Sequence, residues 1–194
     1  MEKIMKEKSI VLNNNDKKKK IKEIIDKLSE YNSILDIGCG EGNILNQIKS
    51  PMKIGIDIFR PILEKNKYKK NIVFINYDLK KRLGKLFLSN FFDCTFGFDI
   101  IEHFDKKDAI NLIKDCEEIT SKFILFFIPV GNHPQTKDDR GYGNDYYQTH
   151  RSTWYPKEMI DLDYEVDFYP NWHNQKGKDS GAMFCYKEIK NEVK

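Results

Sequence analysis

The chain is predicted to be an α/β protein, with a mostly parallel, doubly wound sheet and helices on both faces. Three observations predict it. Short, continuously apolar runs such as Ile34–Ile37 and Phe123–Val130 recur along the sequence, as strands covered on both faces require. Stretches with helical periodicity separate these runs, which argues for parallel pairing through crossovers. The length of 194 residues, with 40% apolar side chains, suits a single compact core.

The elements follow in order. Residues 1–15 form a polar leader, expected to be flexible. After Asp16, a helix-capping residue type, Ile21, Ile24, Ile25 and Leu28 recur on one helical face. Ile34–Ile37 is the first buried strand. The pattern then predicts a helix over Glu41–Lys49, a strand over Lys53–Ile58 and a helix over Pro61–Lys69. Next come a strand at Ile72–Ile75, a helix weakened by Gly84 over Lys80–Ser89, and a strand at Phe92–Phe98. A helix at Ala109–Ile119 leads to the strand at Phe123–Val130. Residues 131–153 then lose all periodicity, a long polar and aromatic loop of the kind kept for function. A short helix at Pro156–Leu162 precedes strands at Tyr164–Tyr169 and Ala182–Lys187. No helical run joins those two, so they form an antiparallel pair at one edge of the sheet. Residues 1–194 are read as one domain.

Composition removes several function classes. No apolar run approaches the roughly 20 residues of a membrane-crossing helix, and no secretory leader is visible. Cys39, Cys94, Cys116 and Cys185 are widely spaced and form no C-x-x-C pair, so reduced thiols and a cytoplasmic location are expected. The net charge is +3, and residues 1–30 hold 9 Lys against 6 acids, so the rest of the chain is neutral. The excess centres on Lys17-Lys18-Lys19-Lys20. A nucleic-acid binder carries a basic face on its body, and this body has none, so nucleic acid is not the expected partner.

The informative segment is Asp36-Ile37-Gly38-Cys39-Gly40-Glu41-Gly42, directly after the first strand. Alternate glycines let the backbone turn tightly and approach a ligand, and the expected helix start adds unbonded N–H groups. The spacing is G-x-G-x-G preceded by Asp, unlike the G-x-G-x-x-G of dinucleotide binders. Asp36 would repel a pyrophosphate but suits an ammonium, directly or through water. Asp57 ends the second strand, where an acid accepts ribose hydroxyls. Asp78 follows the third strand, suited to an exocyclic amine, with Leu79 to flank the base. An ammonium, a ribose and an adenine in that order describe S-adenosylmethionine.

Ile34–Asn43 resembles the first motif of class I S-adenosylmethionine-dependent methyltransferases, and the chain resembles small members of methyltransferase type 11/12. Lys53–Phe59 and Asn76-Tyr77-Asp78-Leu79 resemble the next two motifs. Phe92-Asp93 through Asp99-Ile100-Ile101-Glu102-His103-Phe104 is similar to the fourth strand and its following turn. The resemblance implies a Rossmann-like seven-stranded sheet with an antiparallel last strand, and a cofactor cleft at the strand C-termini. It completes a cofactor-binding set of Asp36, Gly38, Cys39, Gly40, Gly42, Asp57, Ile58, Asp78, Leu79, Phe98 and Asp99.

For the acceptor, His150 and His103 are the candidate bases, since a hydroxyl must lose a proton as it is methylated. Arg151, Tyr147, Trp154 and His133 are the candidate acceptor contacts, from a loop expected to overhang the cleft. The stretch from His150 to Trp154 resembles the His-Arg-Ser-x-Trp segment of small methyltransferases, some of them associated with glycan pathways. Asp99-x-x-Glu102-His103 resembles a segment of ubiquinone-type O-methyltransferases where divalent metal has been implicated. Read alone it is a solvated helix start, and no metal is expected. The Asn/Asp-Pro-Pro-Tyr segment of amino-methylating enzymes is absent, and Cys94 lies inside a strand where cytosine chemistry needs an accessible nucleophile. The expectation is a methyltransferase acting on a hydroxyl oxygen of a small molecule or saccharide. The alternatives are an RNA or protein methyltransferase docked through the lysine arm, and a cofactor-binding subunit without turnover.

Overall fold

The computed structural model describes residues 5–7, 14–66, 71–138, 141, 143–173 and 181–189. Its strands are β1 (Met5–Glu7), β2 (Ser33–Ile37), β3 (Met52–Asp57), β4 (Val73–Asn76), β5 (Phe92–Phe98), β6 (Thr120–Pro129), β7 (Glu165–Tyr169) and β8 (Ala182–Glu188). They form one sheet in the order β1-β7-β8-β6-β5-β2-β3-β4. β8 runs antiparallel to both β6 and β7, and the other pairs are parallel. The seven expected strands are present, with the antiparallel pair where the pattern changed. β1, from the segment read as a leader, adds a short eighth strand at the edge.

Strand order reverses between β2 and β5, so a crevice opens at their C-terminal ends. Two cores flank the sheet because successive side chains alternate between its faces. In β6, Ile124, Phe126 and Ile128 pack on one side with Leu112, Ile113 and Cys116 of α3 (Lys106–Ile119), whose helical face is buried there. Phe123, Leu125 and Phe127 pack on the other with Ile24, Ile25 and Leu28 of α1 (Asn14–Leu28). The remaining helices are α2 (Arg60–Asn66), α4 (Asp145–Gln148) and α5 (Pro156–Asp161). The expected end of α2 at Lys69 lies outside the described residues. Among the described residues no helix is long and apolar enough to cross a membrane.

Two expected helices do not form. Residues 41–49 make successive turns instead, because tertiary partners take the groups a helix would pair. The Lys49 N–H donates to Ser29 Oγ at 3.0 Å, and the buried Lys53 ammonium donates to the carbonyls of Leu45 and Ile48 at 3.3 and 3.0 Å. Residues 80–89 keep only a 3₁₀ turn at Leu83–Lys85. There the Leu83 N–H donates to the buried Asp115 carboxylate at 2.8 Å, and Gly84 carries the usual glycine penalty in a helix.

Candidate functional site

Two adjoining cavities, of about 180 and 330 Å³, occupy the crevice. Gly38, Asp57, Asp99, His103, Asn144 and Gln148 line both. Ile58, Asp78, Leu79, Ile100, Tyr146 and Tyr147 belong to the first, and Gly40, Phe98, Glu102, His133, His150 and His173 to the second.

The wall between β2 and β3 is held by backbone bonds. The N–H groups of Gly38 and Cys39 both donate to the Ile56 carbonyl, at 2.8 and 2.9 Å. The Gly40 N–H donates to Asp57 Oδ2 at 2.9 Å, and the Phe59 N–H to Asp57 Oδ1 at 2.8 Å. Gly38 and Gly40 have φ of +70° and +50°, a region that favours glycine. Asp36 lies beneath this wall, 4% exposed, and lines neither cavity. Burial first, then the charge of Asp57, pushes its pKa well above the usual carboxylate range. Cys39 turns into a small apolar cluster with Ile62 and Leu63, and Gly42 sits against the Phe74 ring, so neither lines a cavity. Asp78, which lines the first cavity, accepts the Lys80 N–H at 3.0 Å.

The second cavity gathers the histidines. The rings of His103 and His150 meet edge to face at 4.8 Å, His133 lies 6.1 Å from His150, and His173 lies 4.8 Å from His133. His150 Nδ1 is 2.6 Å from the His133 carbonyl and His103 Nδ1 is 3.3 Å from the Thr149 carbonyl. A carbonyl only accepts, so in each ring Nδ1 carries the proton and Nε2 the lone pair. Burial first, then His150, lowers the His103 pKa to about 4, so that ring is neutral at physiological pH.

Glu102 overturns the reading of its segment as a solvated helix start. It sits in a 3₁₀ turn, Ile101–His103, 1% exposed, and neither carboxylate oxygen has a hydrogen-bond partner among the described residues. Burial first, then the charge of Asp99, pushes its pKa well up. Its backbone carbonyl accepts the N–H groups of Arg151 and Ser152, at 2.8 and 3.1 Å, which brings the long loop back onto this turn. One donor atom each from Glu102, His103 and His150 lie within 4.8 Å of one another. A buried carboxylate with no partner and two imidazoles held through Nδ1 fit a hard or borderline divalent cation.

The loop residues divide. His133 lines the second cavity. Tyr147 lines the first, as do Asp78 and Leu79, with Tyr146 beside it. The Arg151 guanidinium donates to the carbonyls of His103, Thr149 and Tyr146, and so ties α4 to the turn after β5. Trp154 corrects the expectation of an acceptor surface. It is 1% exposed in the core, its Nε1 donates to Ser152 Oγ at 2.9 Å, and the Lys106 ammonium lies 3.6 Å from its ring centroid. Large aromatic area is worth more buried than waiting for a ligand. His173 escaped the sequence reading. Its only signal was Trp172-His173 directly after the penultimate strand.

A methyltransferase-domain family matches residues 34–122. No curated protein sequence matches the chain. Among solved structures, the methyltransferase domain of bacterial CtHen1 is 18% identical over 90% of this chain and 99% of that one, with a TM-score of 0.60. The magnesium protoporphyrin IX methyltransferase ChlM of Synechocystis PCC 6803, with bound S-adenosylhomocysteine, is 13% identical over 94% and 90%, at 0.59. The small RNA methyltransferase HEN1 is 15% identical over 94% of this chain and 28% of its own, at 0.58. With sheet order, crevice and motif-bearing strand ends in agreement, the chain has the fold of the class I S-adenosylmethionine-dependent methyltransferases and matches a methyltransferase-domain family over residues 34–122.

Proposed function

We propose that the protein transfers the methyl group of S-adenosylmethionine to a hydroxyl oxygen of a small-molecule or saccharide acceptor. The observation that carries this reading is the convergence of Glu102, His103 and His150 on the second cavity, beside the wall it shares with the first. In this reading the first cavity takes the adenosine. Asp57 accepts the ribose hydroxyls, Asp78 the exocyclic amine, and Ile58 and Leu79 flank the base beneath Tyr146 and Tyr147. The amino-acid end lies along Gly38 and Gly40 above Asp36, where an ammonium would offset the burial that disfavours the Asp36 charge.

S-adenosylmethionine supplies a methyl carbon already activated by a sulfonium, so the chain must position and deprotonate the acceptor. The acceptor oxygen bonds to the methyl carbon, the carbon–sulfur bond breaks with its electron pair left on sulfur, and the hydroxyl proton passes to His150 Nε2. His103, held at about pKa 4, is a poor base at physiological pH and suits the role of a neutral ligand. A divalent cation held by Glu102 and His103 would supply Lewis acidity toward the acceptor oxygen while the His150 Nε2 lone pair takes the proton. With His150 as a third ligand, that lone pair would be engaged and His150 would position the cation instead. A cytoplasmic location belongs to the same proposal and is supported by four free, buried cysteines.

The test is S-adenosylhomocysteine release with saccharide, polyol and amine acceptors, using wild type and His150→Ala. Hydroxyl acceptors should turn over, and His150→Ala should lose about 10²–10⁴ in rate with cofactor affinity unchanged. Turnover confined to amines would overturn the proposal. A second reading, RNA as the acceptor, draws on the likeness to the small RNA methyltransferase HEN1, and methylation of a short RNA by the wild type would select it.

A further inference from the structure

The lysine run Lys17–Lys20 is the sequence feature that the methyl-transfer site leaves unused. Its place in the fold follows from the course of α1. Lys20 Nζ bonds Asp167 Oδ2 at 3.0 Å and lies 5.9 and 5.5 Å from the ring centroids of Tyr169 and Phe184. Two turns further on, Lys27 Nζ lies 5.8 Å from the Phe123 ring. Tyr169 ends β7 and Phe123 stands near the start of β6, and these strands run in the same direction because both pair antiparallel with β8. α1 therefore runs from the crevice edge of the sheet toward the opposite edge, with Lys17 at the crevice end.

The chain leaving β7 continues this edge. The Trp172 ring lies 5.5 Å from Tyr169 and 5.3 Å from Phe127, and the next residue, His173, lines the second cavity. Lys17 is near enough to His173 to help hold its pKa at about 4, after burial and His133. The second cavity is lined by Asp57, Asp99 and Glu102 together with His173, and Lys17 stands within electrostatic reach of His173, outside that lining. On the lining of this cavity the His133 ring lies 6.1 Å from His150 and 4.8 Å from His173, so the three rings form a continuous row.

The run is also costly where it stands. Cations favour the C-terminal end of a helix, and here four lysines crowd the positive N-terminal end with Asp16 the acid of the first turn. An anion docked at this rim would be favoured by the lysines and the helix end alike.

We propose that the acceptor is a phosphorylated saccharide, with its phosphate received at the Lys17–Lys19 rim beside His173 while a hydroxyl of its sugar reaches His150. This deepens the reading of the site as a hydroxyl methyltransferase and rests on it for which cavity holds the acceptor. A small phosphate ester fits better than a nucleic acid, because the excess charge is confined to one rim and the rest of the chain is neutral.

The test is calorimetric titration of the full chain, saturated with S-adenosylhomocysteine, with glucose 1-phosphate, glucose, inorganic pyrophosphate and a short single-stranded RNA. Glucose 1-phosphate and pyrophosphate should bind and glucose should not. The triple variant Lys17→Ala, Lys18→Ala, Lys19→Ala should weaken both at least about tenfold. A control variant at the distant Lys85 and Lys114 should leave them unchanged. Absence of phosphate binding, or equal binding to triple variant and control, would overturn the site. RNA binding tightly with a steep salt slope while glucose 1-phosphate does not bind would overturn the saccharide in favour of nucleic acid. His150→Ala separates this proposal from the one it rests on, since it should keep pyrophosphate affinity while losing turnover. Lysine-dependent binding beside unchanged His150→Ala turnover would retain the anion site and sink only the assignment of the base.

Discussion

Asp57 accepts the Gly40 N–H at 2.9 Å, and that bond fastens the glycine loop after β2 to the end of β3. Its second oxygen accepts the Phe59 N–H at 2.8 Å, so the carboxylate orders both sides of the crevice before any ligand arrives. A carboxylate oxygen has two lone pairs, so one that accepts a backbone N–H can accept a hydroxyl as well. One side chain therefore sets the shape of the loop, and in the proposed reading it also meets the ribose.

Asp57→Asn should test both roles. An amide has one acceptor oxygen, so its NH₂ must confront a backbone N–H or a ribose hydroxyl that was formerly accepted. Charge-assisted bonds are worth roughly 1.5–3 kcal/mol each, so S-adenosylhomocysteine affinity should fall at least about tenfold by calorimetry. A 2′-deoxyribose analogue should lose less on the variant than on wild type. Equal losses would remove Asp57 from the ribose.

Gly38→Ala should be far worse than its one carbon suggests. The added Cβ would stand 2.5 Å from Ile100 Cδ1, at a φ of +70° that side chains rarely adopt. Gly84→Ala is the control, since its Cβ would meet nothing nearer than Glu118 Oε1 at 3.5 Å. Thermal melts should show Gly38→Ala destabilised and without cofactor affinity, and Gly84→Ala near wild type.

The strands were readable because burial on both faces leaves continuous apolar runs, and Asp57 and Asp78 because strand ends in such sheets face the crevice. The helix expected at Glu41–Lys49 was not, since its fate rests on Lys53 and Ser29, whose bonds to Leu45, Ile48 and Lys49 are tertiary. Glu102 was misread for a related reason. A charged residue after a strand looks solvated until the return of residues 150–152 covers it. Trp154 and Tyr147 were recognised as aromatic loop residues, but which way each turns depends on the bridge between Trp154 and Val130 and on the placement of α4.

Divalent ions test the Glu102, His103 and His150 group independently of turnover. An ion that binds the folded form alone raises its stability with concentration, so manganese or magnesium chloride should raise the wild-type melting temperature. Glu102→Gln should abolish that response. Without metal, the variant should be at least as stable as wild type, because it replaces a buried carboxylate whose oxygens have no described partner. A parallel rise in both proteins would place the ion elsewhere.

His173 predicts an acid-sensitive contribution. Burial, then His133 and Lys17, hold its folded pKa at about 4 against an ordinary 6.5. Between these values the unfolded chain binds the extra proton, so this contribution is full above about pH 6.5, falls with acidification and is spent below about pH 4. The melting-temperature difference between wild type and His173→Gln should therefore shrink or reverse as pH falls from about 7 to about 4. A difference independent of pH would show that His173 does not titrate in this way.

Arg151 discriminates between two roles that the same charge can serve. As an acceptor contact it would act through its cation, which Lys retains. As seen in the fold, its guanidinium donates to three carbonyls, those of His103 and Thr149 at 2.9 and 3.0 Å and that of Tyr146, a fork that one ammonium cannot reproduce in the same plane. It also lies over the Tyr146 ring, 4.7 Å from the centroid, which couples the first cavity to the histidine pair. Arg151→Lys should therefore behave like Arg151→Ala, with kcat lowered as His103 and His150 lose their alignment and cofactor affinity reduced by the loosened α4. If Lys preserves kcat and KM while Ala raises KM, the guanidinium meets the acceptor and the carbonyl fork is incidental.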